Sequence, residues 1–224
     1  PFVDPFYWED QSVSLHSYDI SDPASPSLVS ELSVEGGLVT SRKAGDEVYL
    51  ITRHTPNIEG LIPYPQTAED IANNEAILAD ASEADVLPEI LIDGLPVTPF
   101  SLDDCYRVDP EHPLGADLPA DSVLTTLLTV SATTGEIVRS ACVMEPVGGV
   151  YVSNERIALT YVRWDTDSEM TLVHLLDRET YEYLGSEQVA GALYSGGNND
   201  FRISEFDGVL RMVTTEWTGN PEDQ

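Results

Sequence analysis

The stretch "EFDGVLRMVTTEW" (Glu205–Trp217) contains a two-residue Asp-Gly turn followed by a run rich in β-forming residues. This pattern is typical of a strand that leaves a tight turn. Its alternation would direct Val209, Met212 or Val213, and Trp217 toward a core. Whether the pattern occurs once or repeats decides the architecture.

Two earlier stretches repeat it, namely "AGDEVYLITR" at residues 44–53 and "SNERIALTYVRW" at residues 153–164. Each copy follows a predicted hairpin and a glycine, which gives repeat units at about 12–54, 124–164 and 170–217. The last two begin 46 residues apart, near the period of about 40–50 residues found in β-propeller blades. Helical solenoids have similar periods, but these segments alternate by two. Because propellers need about four to eight blades, three units predict an all-β, partial or shortened propeller of antiparallel blades.

Two segments resemble a known family: "YDISDPASPSLVSELSVEGGLVTSRKAGDEVYLIT" (residues 18–52) and "ISEFDGVLRMVTTEW" (residues 203–217). They are similar to secreted proteins with a C-terminal β-propeller domain distantly related to WD repeats. The resemblance implies a propeller fold and a secreted or extracytoplasmic location, in the periplasm or at the cell surface. The family domain is longer than this chain, which implies a piece or a shortened version. No catalytic residues are established for the family, so none is transferred.

Residues 55–122 depart from the repeat, with nine of the fifteen prolines and fifteen of the forty acidic residues, against Arg107 as their only base. This proline density argues against a continued sheet. A short helix is predicted near 67–84, where Thr67 can cap the first turn and Asp70 stands three residues later. Its apolar stripe would be Ile71, Ala72, Leu78 and Ala79. With too little apolar content for its own core, the segment is interpreted as an insertion from one blade of a single domain or fragment spanning 1–224.

Apolar clusters inside this insertion are expected to face the blades while its acidic residues face solvent. The clusters are Leu61, Ile62 and Tyr64; Val86, Leu87, Ile90, Leu91 and Ile92; and Phe100 and Leu102. Their burial would offset much of the entropy lost on ordering the segment. The insertion is therefore the predicted partner-contacting surface.

The net charge of the chain is −30, from forty acidic and ten basic residues in 224. A field of that sign repels nucleic acid and anionic lipid head groups, so we expect neither as a partner. No run approaches the roughly 20 apolar residues that span a bilayer, so we expect no membrane insertion in this segment. No basic stretch followed by an apolar one opens the sequence, and any leader is expected to lie outside this chain. The oligomeric state is left open.

The sequence offers few candidate sites. The four histidines are scattered, and no catalytic or cofactor-binding set converges. In "SGGNNDF" (residues 195–201), Asn198, Asn199 and Asp200 present hard oxygens and are weak candidates for a calcium ion. A second acidic loop, "DTDSEM" at residues 165–170, lacks the glycine and the glutamate of a calcium loop and is interpreted as a hairpin connection.

Cys105 and Cys142 are the only cysteines and are candidates for a disulfide between the end of the insertion and the second repeat. The alternative is one buried thiol in a strand and one in a loop. An exported protein permits the bond, and Cα atoms more than about 7 Å apart would exclude it.

Three functions remain open. The first is a non-enzymatic extracytoplasmic propeller scaffold that binds a protein or glycan through its loop face and acidic insertion. The second is a calcium-binding surface or adhesive protein. The third is a carbohydrate-active hydrolase or lyase with paired carboxylates in the propeller channel.

Overall fold

Strands dominate the computed structural model, which describes residues 11–62, 64–108, 123–164, 169–193 and 202–216. The strands are β1 (Ser12–Asp19), β2 (Ser27–Glu35), β3 (Gly37–Ala44), β4 (Glu47–His54), β5 (Ile90–Ile92), β6 (Leu95–Pro96), β7 (Cys105–Tyr106), β8 (Leu124–Ser131), β9 (Ile137–Val143), β10 (Gly149–Val152), β11 (Arg156–Trp164), β12 (Glu169–Asp177), β13 (Tyr183–Ala190), β14 (Ile203–Phe206) and β15 (Val209–Met212). The helices are α1 (Ala68–Asp80), α2 (Glu83–Val86) and a 3-10 turn at Leu102–Asp104. The predicted all-β class is confirmed.

The chain divides into two compact units. The first comprises residues 1–105 and 121–144 and holds sheets in the orders β3-β4-β8-β9-β7 and β1-β2-β5-β6. The second comprises residues 106–120 and 145–224 and holds a sheet in the order β10-β11-β12-β13 and the pair β14-β15. The hairpins of all three repeats pair antiparallel, as predicted.

Each predicted repeat is divided between two sheets, because its first hairpin and its second hairpin belong to different sheets. In the first repeat, β1 and β2 form one sheet while β3 and β4 begin another. Gly36 lies at this crossing with φ +111°, and a side chain there would collide with the carbonyl oxygen of Arg53. Only glycine fits such a left-handed, crowded position.

The leading hairpins of the three repeats share one irregularity. A β-bulge falls just before the end of the first strand, at Ser17/Tyr18 in β1, Thr129/Val130 in β8 and Leu175/Leu176 in β12. The last residue of each first strand then accepts backbone N–H groups of the turn: Asp19 from Ser21, Ser131 from Thr133 and Thr134, and Asp177 from Glu179 and Thr180. The first strands of the three hairpins are therefore equivalent, although the turn of the first hairpin is three residues longer than the other two.

The insertion contributes strands, which corrects the expectation that its prolines keep it out of any sheet. β5 pairs with β2 through Leu32 and Ile92, and β6 adds outside β5. Residues 89–95 contain no proline, and Pro96 lies on the outermost strand, where a missing donor is tolerated. β7 adds to β9 in the same way at the other sheet of the first unit.

Helix α1 begins where the sequence predicts, but a different face packs. The capping box is confirmed: the Asp70 amide donates to Thr67 Oγ1 at 3.1 Å, and the Thr67 amide donates to Asp70 Oδ2 at 2.9 Å. Ile71 and Leu78 of the predicted stripe are exposed, and no residue of α1 is fully buried. Asn74 instead holds the backbone of Ile62, accepting from its amide at 2.9 Å and donating to its carbonyl at 2.7 Å.

The insertion docks on the sheets of the first unit. Ile90 and Phe100 are buried in a core made with residues of β2, β4, β8 and β9, namely Leu32, Val34, Leu50, Leu128, Val130 and Cys142. Tyr64 is exposed, contrary to expectation. Cys105 and Cys142 are joined by a disulfide with Cα atoms 4.6 Å apart, which fixes the end of the insertion to β9.

The β14–β15 hairpin forms as the opening stretch predicts, and Ile203 of β14 is buried, but the described residues that were expected to face a core are not. Val209 and Val213 are exposed and Met212 is half-buried, while Trp217 lies outside the described residues. The expectation fails because β15 pairs with β14 alone among the described strands.

Candidate functional site

A cleft of about 420 Å³ lies in the first unit and is formed mainly by the insertion. Its lining comes from Glu35 at the end of β2 and from residues 83–84, 87–90 and 96–100. The apolar part consists of Leu87, Ile90, Val97 and Phe100, of which Ile90 and Phe100 are anchored in the core. The floor of the cleft is therefore a rigid surface continuous with the sheets.

Local sequence fixes the walls of the cleft. Ser82 caps α2 and bonds Asp85, whose Oδ2 accepts from the Ser82 amide at 2.8 Å and from its hydroxyl at 2.6 Å. The helix ends at Val86, Leu87 before Pro88 is already extended, and the chain then enters β5. Proline disfavours a helical conformation at the preceding residue, so this short helix stops where β5 must begin.

Three carboxylates surround the apolar floor, those of Glu35, Glu83 and Glu89. Two hydrogen bonds to Glu89 hold Glu35 in place. The Glu35 amide donates to the Glu89 carbonyl, and Glu35 Oε2 accepts from the Glu89 amide, both at 2.9 Å. Glu83 Oε1 accepts from the Leu102 amide at 3.3 Å. The side chains of Glu83 and Glu89 are exposed, so they can meet a positively charged group.

His54 lies behind Glu35, with its Nδ1 3.9 Å from Glu35 Oε2. Burial lowers the pKa of His54 below its ordinary value, although the Glu35 charge and a bond to the Val86 backbone oppose the shift. A neutral imidazole leaves the negative charge of Glu35 uncompensated. The cleft therefore combines an apolar floor with an anionic rim, which suits a ligand with apolar and cationic groups.

A second cavity, of about 460 Å³, lies in the second unit beside the outer strand β13 and β15. It is lined mainly by apolar side chains, with Val173, Leu175 and Val189 on one side and Leu210 and Met212 on the other. Glu187 is its one charged lining residue. Among the described residues, this cavity lies beside two strands, β13 and β15, that are each paired on one side.

A buried polar cluster joins β12 to β13 in the second unit. His174 Nδ1 lies 2.6 Å from Ser186 Oγ and 3.3 Å from the Tyr183 hydroxyl, which also contacts the Ser186 hydroxyl. Burial lowers the pKa of His174 to about 4 and raises that of Tyr183. His174 is thus a neutral base at pH 7, and its Nε2 has no partner within the described residues. His174 and Ser186 lie opposite each other on β12 and β13, so their hydrogen bond links the two strands. We interpret the cluster as structural.

The sequence-predicted sites are only partly visible. Asn198, Asn199 and Asp200 lie outside the described residues, as do residues 165–168 of the second acidic loop. Within the part of the chain that the structure describes, no three His, Cys, Asp or Glu side chains are grouped to hold a metal ion. The cleft and the His174 cluster were not predicted. The apolar residues beside Glu83 and Glu89 are the sequence feature that could have indicated the cleft. No sequence feature indicates that His174 pairs with Ser186 across two strands.

None of the helices in the described ranges is long and apolar enough to cross a bilayer. No curated protein and no solved structure is similar enough to this chain to count as a match. A family model described as "Beta propeller domain" matches residues 2–224, nearly the whole chain. The repeated antiparallel hairpins agree with that match, and the chain belongs to the beta propeller domain family.

Proposed function

We propose that this protein is a non-enzymatic propeller scaffold whose cleft binds a basic, partly apolar segment of a partner protein. The observation that carries the proposal is the union, in one cleft, of the Glu35, Glu83 and Glu89 carboxylates with the apolar floor. Arginine and lysine side chains carry an apolar stem and a charged head, so both parts of the cleft would be used.

The charge of the chain supports the same partner class. With a net charge of −30, the protein attracts a basic partner over distances of about a Debye length and accelerates encounter. The carboxylates of the rim make binding specific for positively charged segments, whereas burial of the partner's apolar side chains on the floor contributes most of the affinity.

We also propose an extracytoplasmic location. The disulfide between Cys105 and Cys142 supports it, because such bonds persist in oxidising compartments and are rare in reducing ones. The acidic surface is compatible with that setting, where it favours solubility.

Isothermal titration with two short synthetic peptides tests the binding proposal. One peptide alternates arginine with leucine, and the other has glutamine in place of each arginine. We expect measurable binding of the first alone, weakening as salt rises from about 50 mM to about 500 mM. Equal binding of both peptides, or no binding of either, would exclude a basic segment as the ligand.

Matched variants locate the binding. Glu83→Gln with Glu89→Gln should weaken binding of the arginine peptide by about 2- to 30-fold, since exposed ion pairs contribute about 0.2–1 kcal/mol each. Glu75→Gln in α1 removes an exposed charge from the same insertion outside the cleft and should leave the affinity nearly unchanged. A loss of equal size in both variants would mean that general charge, and not the cleft, binds the peptide.

A further inference from the structure

A buried histidine connects two parts of the cleft. His54, the last residue of β4, is 4% exposed. Its Nδ1 faces Glu35 at the end of β2, and its ring is hydrogen-bonded to the backbone of Val86, the last residue of α2. Glu35 and the residues that follow Val86 line the cleft. His54 therefore contacts the cleft from behind, where the first sheet meets the insertion.

The contact between His54 and Glu35 is not a hydrogen bond while the imidazole is neutral. His54 Nδ1 is buried without a hydrogen-bond partner and lies 3.9 Å from Glu35 Oε2, beyond hydrogen-bond length. A neutral imidazole carries one N–H, which the bond to the Val86 backbone uses, whereas an imidazolium carries two. Protonation thus adds a donor beside Glu35, and a charge-assisted bond of about 2.7–2.9 Å requires a movement of about 1 Å.

Glu35 faces both His54 and the ligand side of the cleft. Its side chain is 36% exposed, although its Oε2 accepts from the Glu89 amide. While His54 is neutral, the charge of Glu35 can attract a positively charged ligand. Once His54 is protonated, the same carboxylate is paired within the protein, and the imidazolium repels the ligand's positive charge.

We propose that His54 is a proton switch for the cleft, and that its protonation pairs Glu35 internally and releases a basic ligand in mild acid. This inference rests on the proposed function, because it concerns the regulation of the same binding site. The proton comes from solvent, and no covalent bond of the chain changes. Because the coupling between two binding events is reciprocal, a ligand that opposes protonation of His54 must itself bind more weakly when His54 is protonated.

The strands of the first sheet present neutral side chains to His54. Leu124 of β8 lies directly opposite it. Thr52 shares its face of β4, whereas the neighbouring Arg53 points to the other face, because side chains alternate along a strand. The positive charge of Arg53 is therefore separated from the imidazole by the sheet.

The insertion and the end of β2 bring acidic residues near the imidazole, but most of them are directed to solvent. From α2, the Val86 backbone contacts the ring, while the side chains of Glu83 and Asp85 are exposed. Glu89 is exposed on the rim of the cleft. Glu35 is the carboxylate that lies against Nδ1, so it is the group with which a protonated ring pairs.

The pH range of the switch follows from the burial of His54. Burial lowers the pKa of His54 below its ordinary value of 6.5, and the charge of Glu35 and the bond to Val86 oppose part of that shift. A bound cation lowers the pKa further. Between the two pKa values, the free protein holds a proton that the complex excludes, so affinity falls with decreasing pH by up to about tenfold per pH unit.

Isothermal titration with the arginine–leucine peptide at pH 7.5 and pH 5 tests the switch, in a range above that in which most carboxylates titrate. The affinity of the unmodified protein should fall at least about threefold at pH 5. The affinity of His54→Asn should differ by less than about twofold between the two pH values, because the titrating group is gone.

His16→Asn is the matched control. His16 Nδ1 also lies 3.9 Å from a glutamate, Glu31, but it is half-exposed on β1 and does not line the cleft. This variant should keep the pH dependence of the unmodified protein. A fall of equal size in His54→Asn would assign the effect to the rim carboxylates and overturn the switch. Binding that is equally strong at both pH values would also overturn it and leave the proposed function standing, whereas no binding at pH 7.5 would overturn both.

A proton count in the unmodified protein does not depend on whether His54→Asn folds. Titration at pH 5.5 in two buffers of different ionisation enthalpy gives the number of protons exchanged on binding. The peptide should release protons at pH 5.5 and close to none at pH 7.5, and Glu35→Gln should bind more weakly and lose most of the release. Binding at pH 5.5 without proton release would contradict the switch.

Discussion

The two complete sheets, β3-β4-β8-β9 and β10-β11-β12-β13, have the same antiparallel order but differ at one connection. In the second sheet, β11 leads to β12 across residues 165–168, whereas in the first, β4 leads to β8 across residues 55–123. The flanking register is equally regular, with His54 opposite Leu124 and Trp164 opposite Glu169. The sheet thus tolerates a long insertion at this position, since the entropic cost of closing a loop rises only slowly with the length of the loop.

The comparison shows where the repeated fold gains a cleft. The first sheet keeps the strands of the repeat, and the insertion then builds the cleft from α2, β5 and the segment ending at Phe100. Loops carry function because a rigid scaffold positions them. Four predictions concern how strongly the insertion and the first sheet stabilise each other, and how the second sheet differs in its response to acid.

The largest expected effect concerns the apolar contact between insertion and sheet. Phe100→Ala should lower the free energy of unfolding of the first unit by about 3–5 kcal/mol, because it empties a buried position in the core cluster that also contains Leu50 and Leu128. Tyr64→Ala in the exposed part of the insertion should change it by less than about 0.5 kcal/mol. Urea unfolding curves measure both, and similar values for the two variants would disprove docking through Phe100.

Removal of the disulfide should have the next largest effect. The bond joins residues 37 positions apart, and constraining such a loop contributes roughly 3–4 kcal/mol in the chain-entropy model. The variant Cys105→Ala with Cys142→Ala should therefore unfold at lower urea than the oxidised protein. Midpoints that agree within error would mean that the bond constrains nothing beyond what the core already fixes.

Acid should destabilise the second sheet through His174 in β12, at the position where the first sheet holds Leu128 in β8. Burial lowers the pKa of His174 to about 4 from an ordinary value of 6.5. The unfolded state therefore binds a proton that the folded state does not, and stability falls as pH drops from 6.5 to 4, by roughly 3 kcal/mol in total. Unfolding measured at pH 7 and pH 4.5 should show this loss in the unmodified protein and a smaller loss in His174→Leu. An unchanged pH dependence in the variant would refute the assignment.

The smallest expected effect is local to α1. Thr67→Ala removes the side chain that accepts from the Asp70 amide and should weaken the helix by about 1 kcal/mol. Hydrogen exchange in residues 68–80 should accelerate while exchange in β4 and β8 stays constant. Faster exchange throughout the first unit would show that the insertion and the sheet unfold together.

The sequence predicts the repeated hairpins, the capped helix and the cysteine pair because these depend on local signals: alternation by two, turn residues and spacing. It does not predict β5, since a strand of three residues is too short to show an alternating pattern within a proline-rich segment. Its pairing with β2 depends on the core that includes Ile90 and Phe100. It also misplaces the packed face of α1, because Asn74 binds backbone groups of Ile62 that no hydrophobic pattern encodes. The cleft depends on the same tertiary contacts, so the sequence indicates its charged and apolar residues but not their arrangement around one cavity.

Carboxyl footprinting tests the central claim, that the insertion forms a binding cleft, most directly. The protein is labelled with a carbodiimide and an amine, with and without the arginine–leucine peptide, and modification is measured at each glutamate. Binding in the cleft should reduce labelling of Glu83 and Glu89, which line it, and leave Glu75 unchanged, since Glu75 is exposed on α1. Protection of Glu75 as strong as that of Glu83 and Glu89, or protection confined to the second unit, would contradict the claim.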